Sequence, residues 1–151
     1  MEKPGSWRLP SIAAMDITLS HTFITTPDKD KALAFYHDVL GFQVVNDVSF
    51  EGMRWLTVSP PSQPGVEIGL VGPAENPNAS ADDRKAIEEL LAKGMLNGLI
   101  FATDDCDATF ERVRASGAEV LQEPIDQPYG VRDCAFRDPS GNMIRFSQPR
   151  S

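Results

Sequence analysis

Thr26-Pro-Asp-Lys-Asp-Lys-Ala32 has a counterpart in Thr103-Asp-Asp-Cys-Asp-Ala-Thr109, 77 residues further on. Each block follows a short apolar stretch and opens a helical pattern. Ile68-Gly-Leu-Val-Gly-Pro73 and Ile144-Arg-Phe-Ser-Gln-Pro149 repeat at nearly the same offset, 76 residues. A register kept at both ends of so long a unit, with one deletion between them, marks an internal duplication.

Working outward from these blocks, both copies read as strand, helix and three strands. In module one a strand is expected over 17–25. Asp28 is placed to cap the helix that follows, because its carboxylate can accept backbone N–H groups at the helix start. Ala32, Phe35, Tyr36, Val39 and Leu40 give that helix an apolar face, and Gly41 suits its left-handed stop. Strands are expected over 42–48, 54–59 and 66–71. Module two repeats the order: a strand over 97–103, a helix over 105–116 ended by Gly117, and strands over 119–121, 131–137 and 142–147. Asp138-Pro-Ser-Gly141 is the turn signal before the last strand. Between the modules, Ser80-Ala-Asp-Asp83 resembles a capping box, and Ile87, Leu90 and Leu91 mark one face of a linker helix ended by Gly94. This helix is expected over the sheet or at a subunit contact. The domain organisation is thus an arm or leader, 1–14, and one domain, 15–151. That domain divides into module one (16–71), a linker region (72–96) and module two (97–148).

A chain of 151 residues with 41% hydrophobic and 24% charged residues is ordinary for one folded domain. The net charge of −8 argues against nucleic acid or an anionic membrane as a partner, since both demand a basic patch. No apolar run reaches the ~20 residues that span a bilayer. The first 14 residues lack the apolar core of a secretory signal. Cys106 and Cys134 have no metal-binding or redox spacing and read as two separate thiols in a reducing cytoplasm. No Ser-His-Asp signature, phosphate loop or dinucleotide fingerprint is evident.

His21 lies seven residues before Asp28, and Ala34-Phe-Tyr-His-Asp-Val-Leu-Gly-Phe42 follows. Later comes Phe136-Arg-Asp-Pro-Ser-Gly-Asn-Met-Ile-Arg145. These segments resemble the two signatures of the vicinal-oxygen-chelate superfamily, which includes glyoxalase I, extradiol dioxygenases and the bleomycin-binding resistance proteins. The resemblance spans about residues 16–148. It implies an α+β fold in which two βαβββ modules form a cupped, barrel-like mixed sheet with helices outside.

The resemblance also implies where a divalent ion would sit in metal-dependent members: at one position in the first strand and one in the last strand of each module. The repeat places these positions at His21, Gly69, Gly98 and Arg145. Glycine offers no donor, and arginine is a permanent cation. His21 is therefore the one retained ligand-type residue, and no cofactor is expected. A three-ligand site of His21, Glu67 and Asp133 is the alternative. His21 alone is more often a hydrogen-bonded strand histidine than a ligand. Arg145 has two readings, a pair with Asp133 or Glu67, or an anchor for an anionic or carbonyl-bearing ligand. Gly69 and Gly98 read as relics of lost ligands or as space for a ring against the backbone.

The ligand-binding set expected in the cup is His21, Phe23, Trp55, Glu67, Gly69, Gly98, Tyr129, Asp133 and Arg145. Phe23, Phe50 and Trp55 could stack on a ligand, but core packing is the expected role for any single one. His37 reads as a surface residue. Tyr129 or Arg132 would guard the cup mouth, and Cys134 would face the helices and be inert. The expected function is small-molecule binding without a catalytic metal, in a cytoplasmic homodimer that completes or walls the pocket. By resemblance to the bleomycin-binding proteins, it would sequester a drug-like or aromatic metabolite and so confer antibiotic resistance. Two other classes stand beside it: a metal-dependent lyase, isomerase or dioxygenase of the same superfamily, and a structural or protein-binding module with a filled cup.

Overall fold

The computed structural model describes residues 13–96 and 98–150. Apart from its last two residues, the expected N-terminal arm lies outside the described residues. In chain order the elements are β1 (His21–Thr25), α1 (Lys29–Leu33) continuing as a π-helix (Ala34–Val39), β2 (Gln43–Phe50), β3 (Met53–Ser59), β4 (Glu67–Val71), α2 (Ala81–Ala92), β5 (Leu99–Ala102), α3 (Cys106–Ala115), β6 (Val120–Asp126), β7 (Val131–Arg137) and β8 (Met143–Pro149).

The duplication is visible in the topology. Module one forms a four-stranded sheet in the order β1-β4-β3-β2, and module two one in the order β5-β8-β7-β6. In each, the first and last strands run parallel and the other pairs antiparallel. Phe23 pairs with Gly69, and their repeat counterparts Ile100 and Arg145 pair in the same way. The expected α+β fold of two mixed, cupped sheets holds. The two sheets stay separate and do not close into one barrel.

Local chemistry sets the helix ends. The Asp28 carboxylate accepts from Lys31 N, and Asp105 does the same for Ala108 N. Ser80 and Asp83 form a reciprocal capping box on α2. Gly41, Gly94 and Gly117 stand just past the helices with positive φ. Three expectations need correction. The strand expected over 119–121 runs on to Asp126 as β6. The first strand begins at His21, not near residue 17, because only Ser20 O of the preceding stretch finds a β4 partner, at Glu67 N. The first helix loosens after Leu33: Leu40 N reaches back to Phe35 O, and the wider turn buries Phe35 and Tyr36 side by side in an edge-to-face pair.

One continuous core joins the modules. Ile24, Leu56, Val58, Ile68 and Leu70 from module one meet Phe110, Val113, Phe136, Ile144 and Phe146 from module two, with Phe42 and Phe101 in edge contact between them. A polar clasp lies beside it. The Tyr36 hydroxyl donates to Asp138 Oδ2 at 2.7 Å, and Asn142 Nδ2 donates to Thr25 O at 2.9 Å. The linker helix α2 does not enter either sheet face. Its C-terminal end seats on the β7–β8 turn, with Leu91 buried and the Arg137 guanidinium donating to Ala92 O. Among the described residues, no helix is long and apolar enough to cross a membrane.

Candidate functional site

Strand alternation gives each sheet a core face and an outer face. On module one the outer face carries His21, Phe23, Val48, Phe50, Met53, Trp55, Thr57, Glu67 and Gly69. On module two it carries Ile100, Ile125, Asp133, Ala135 and Arg145. Seven of the nine expected site residues fall on these faces, and Tyr129 lies in the β6–β7 turn. Gly98 lies just ahead of β5.

Core packing does not claim the strand aromatics Phe23, Phe50 and Trp55 of module one. Phe23, Trp55 and Phe50 are 53%, 41% and 71% exposed. The reading that buried any of them singly is corrected: alternation puts them opposite Ile24 and Leu56, which fill the core. The His21 ring stacks on Phe23 at 6.4 Å, and Trp55 lies 6.2 Å from both, so three rings form one platform. Beside it, Glu67 Oε1 accepts from Thr57 Oγ1 at 2.7 Å and Asn46 Nδ2 at 2.9 Å. That leaves Oε2 facing His21 Nε2 at 3.4 Å. A carboxylate only accepts, so the favoured tautomer carries its proton on Nε2 and leaves Nδ1 to accept from Ser20 Oγ, 2.9 Å away.

Module two has a different polar group. Asp133 is almost fully buried, and its Oδ1 accepts from Gln122 Nε2 at 2.7 Å and Gln127 Nε2 at 3.0 Å. Arg145 Nη1 lies 3.2 Å from Asp133 Oδ2 and donates to Gln122 Oε1 at 3.0 Å. Burial pushes the Asp133 carboxyl up, but the two amides and the Arg145 charge outweigh it and hold the group below the usual carboxylate range. Of the two partners considered for Arg145, the geometry selects Asp133. Asn46, Thr57, Gln122 and Gln127 escaped the sequence reading. Their one signal is polarity inside otherwise apolar strand patterns, which does not say which carboxylate each serves.

The four metal-type positions do not assemble a donor set. A Cβ at Gly69 would stand 2.5 Å from the Phe23 ring, and one at Gly98 would stand 1.9 Å from the Met143 carbonyl oxygen. Gly98 is closed by backbone, Gly69 is covered by the Phe23 side chain, and Arg145 adds a cation. Among the described residues, no three His, Cys, Asp or Glu side chains group as a metal site, so His21, Glu67 and Asp133 do not come together. The two glycines differ in consequence. Phe23 is half exposed and free to swing, so Gly69→Ala is expected to lose less than about 1 kcal/mol in chemical denaturation.

Tyr129, in the β6–β7 turn, is exposed, and Arg132 pairs with Asp107 and Asp126. His37 is half exposed and within 2.7 Å of Phe42 O through Nδ1. Cys134 and Cys106 are both free and buried, and burial pushes the Cys134 thiol up to about 12. Clefts of about 660 and 550 Å³ open elsewhere. One lies between Phe35 and the Asp138–Gly141 turn, the other between Phe42 and β5, and neither includes His21, Glu67, Asp133 or Arg145. His21, Phe23, Trp55 and Arg145 keep part of their surface exposed, whereas Thr57 and Asp133 are buried.

Two βαβββ modules, each forming one four-stranded mixed sheet, define the fold class. Residues 18–146 match the model of the Glyoxalase/Bleomycin resistance protein/Dioxygenase superfamily, and the chain belongs to that family. It is similar to the crystal structure of UcmS2, with 36% identity, a TM-score of 0.81, and coverage of 88% of this chain and 98% of that one. It is also similar to TnmS3, an antibiotic binding protein from Streptomyces sp. CB03234, with 30% identity, a TM-score of 0.71, and coverage of 90% and 99%. The uncharacterized protein YurT of Bacillus subtilis (strain 168) is 34% identical over 128 residues, 84% of this chain and 95% of YurT.

Proposed function

We propose that this chain binds and sequesters an aromatic small molecule without a catalytic metal, in a pocket walled by a second copy. The observation that carries the reading is the exposed ring platform of His21, Phe23 and Trp55 beside a fixed polar cluster. An apolar surface with a few oriented polar groups is the usual make-up of a ligand site. TnmS3, at 30% identity, is described as an antibiotic binding protein, which supports a ligand of drug-like kind and a role in antibiotic resistance. The occupancy of the metal-type positions by two glycines and a cation supports recognition in place of metal chemistry.

A partner copy accounts for the openness of the faces. Val48, Phe50 and Met53 extend the apolar surface beyond the rings, and leaving so much of it in water is unfavourable. Two copies that cover each other's faces would turn an open platform into an enclosed pocket. We place the protein in the cytoplasm, where its two thiols stay reduced.

The test is isothermal titration against a panel of polycyclic aromatic compounds, with and without chelator. Saturable binding indifferent to chelator is the expected result. Trp55→Ala should weaken it about tenfold to a hundredfold, since stacking and burial on an indole contribute about 1–3 kcal/mol. Binding that chelator removes would sink the proposal. The rival reading is a metal-dependent lyase or dioxygenase, for which the His21–Glu67 pair supplies two ligand-type groups. Stoichiometric metal abolished by His21→Ala would promote it.

A further inference from the structure

Resting on the small-molecule reading, we propose that the ligand is an aromatic carboxylate whose acid group docks on the free edge of Arg145. The guanidinium is fixed from one side only. Nη1 faces Asp133 Oδ2 and Gln122 Oε1. Among the described residues, Nε and Nη2 make no hydrogen bond. Those two nitrogens form the edge that matches a carboxylate with two parallel N–H···O bonds. The side chain is 26% exposed, so this edge is open to a ligand while its base is held.

Asp133 does not cancel this grip. Its carboxylate is 2% exposed, lies behind the guanidinium, and already accepts from Gln122 and Gln127. A ligand carboxylate on the opposite edge would stand closer to the guanidinium than to Asp133. Coulomb energy falls with distance, so attraction exceeds repulsion. The Nη1 contacts restrain the side chain beforehand, which lowers the ordering cost of binding.

The surroundings suit a flat apolar body attached to that acid. Ile100 is the direct strand partner of Arg145 and is 66% exposed. Ile125, partner of Asp133, is also exposed. Together they give an aliphatic bed next to the cation. Module one presents the opposite charge, the Glu67 carboxylate, beside its rings. An acid group is therefore repelled by one module's face and attracted by the other's, which fixes the ligand's direction in a pocket built from both.

The experiment compares 2-naphthoate with 2-naphthamide, of the same shape but neutral, by titration calorimetry against the full chain and against Arg145→Gln and Arg145→Lys. The unsubstituted protein should prefer the acid about tenfold. Arg145→Gln should reduce that preference to within twofold. Arg145→Lys, which keeps the charge and loses the fork, should fall between, and it carries the comparison if Arg145→Gln does not fold. Equal affinity for acid and amide in the unsubstituted protein would overturn the carboxylate assignment and leave the binding reading intact. An undiminished preference for the acid in both variants would move the anion site away from Arg145. Failure of both compounds to bind at millimolar concentration would count against the assignment and the binding reading together.

Discussion

Asp138→Ala should lower the stability of the protein by about 4 kcal/mol, the largest loss expected for any single polar truncation in the chain. The carboxylate is buried and receives five donors. Ser140 N, Gly141 N and Asn142 N reach Oδ1, each at 2.9 Å, and the Tyr36 hydroxyl and Asn142 Nδ2 reach Oδ2 at 2.7 and 2.9 Å. Each hydrogen bond to a charged group is worth about 1.5–3 kcal/mol, but they share one acceptor and are not additive. Removing the carboxylate frees the β7–β8 turn and orphans the Tyr36 hydroxyl inside the core. Burial, and then the Asp138 charge, keep Tyr36 protonated far past the ordinary tyrosine range, so it stays a donor at every working pH. For a chain of this size, about 4 kcal/mol corresponds to a Tm lower by roughly 10–15 °C, readable by calorimetry. A shift under about 3 °C would show that the clasp between the modules does not depend on this residue.

Gly98→Ala should be nearly as costly, about 3 kcal/mol or more, and much worse than Gly69→Ala. The added methyl would meet the Met143 backbone carbonyl at 1.9 Å, and a backbone cannot step aside without parting β5 from β8. Those strands hold Ile100 against Arg145, so ligand binding should fail along with stability. Gly98→His, which would put an imidazole back at a metal-type position, should yield unfolded protein without metal. Equal stability of the Gly98→Ala and Gly69→Ala proteins in urea would refute the contrast drawn between them.

The duplicated fold is legible in the sequence because its punctuation is local. Asp28, Asp105 and Ser80 cap helices, and Gly41, Gly94 and Gly117 end them, each through contacts within a few residues. What lies beyond local reading depends on partners far along the chain. The π turn at Ala34–Val39 exists because Phe35 and Tyr36 both find room in a core supplied by the other strands and module two, which helical periodicity does not encode. Residues 17–20 alternate like a strand, yet β4 meets them only at Ser20. Alternation separated Phe23 and Trp55 from Ile24 and Leu56 without revealing which face the core covers. The polar pairing at the site followed the same rule. Arg145 and Asp133 were each visible as candidates, but the choice of Asp133 over Glu67 required the strand order, which gives Glu67 to Asn46 and Thr57 instead.

Recognition by rings and fixed hydrogen-bonding groups needs no divalent ion. Native mass spectrometry of freshly purified protein, run before and after dialysis against a strong chelator, is the test. The expected spectrum shows a polypeptide mass free of divalent metal, and any co-purifying organic molecule retained through the chelator step. A stoichiometric zinc, nickel, manganese or iron adduct, lost on chelation together with the organic molecule, would contradict it.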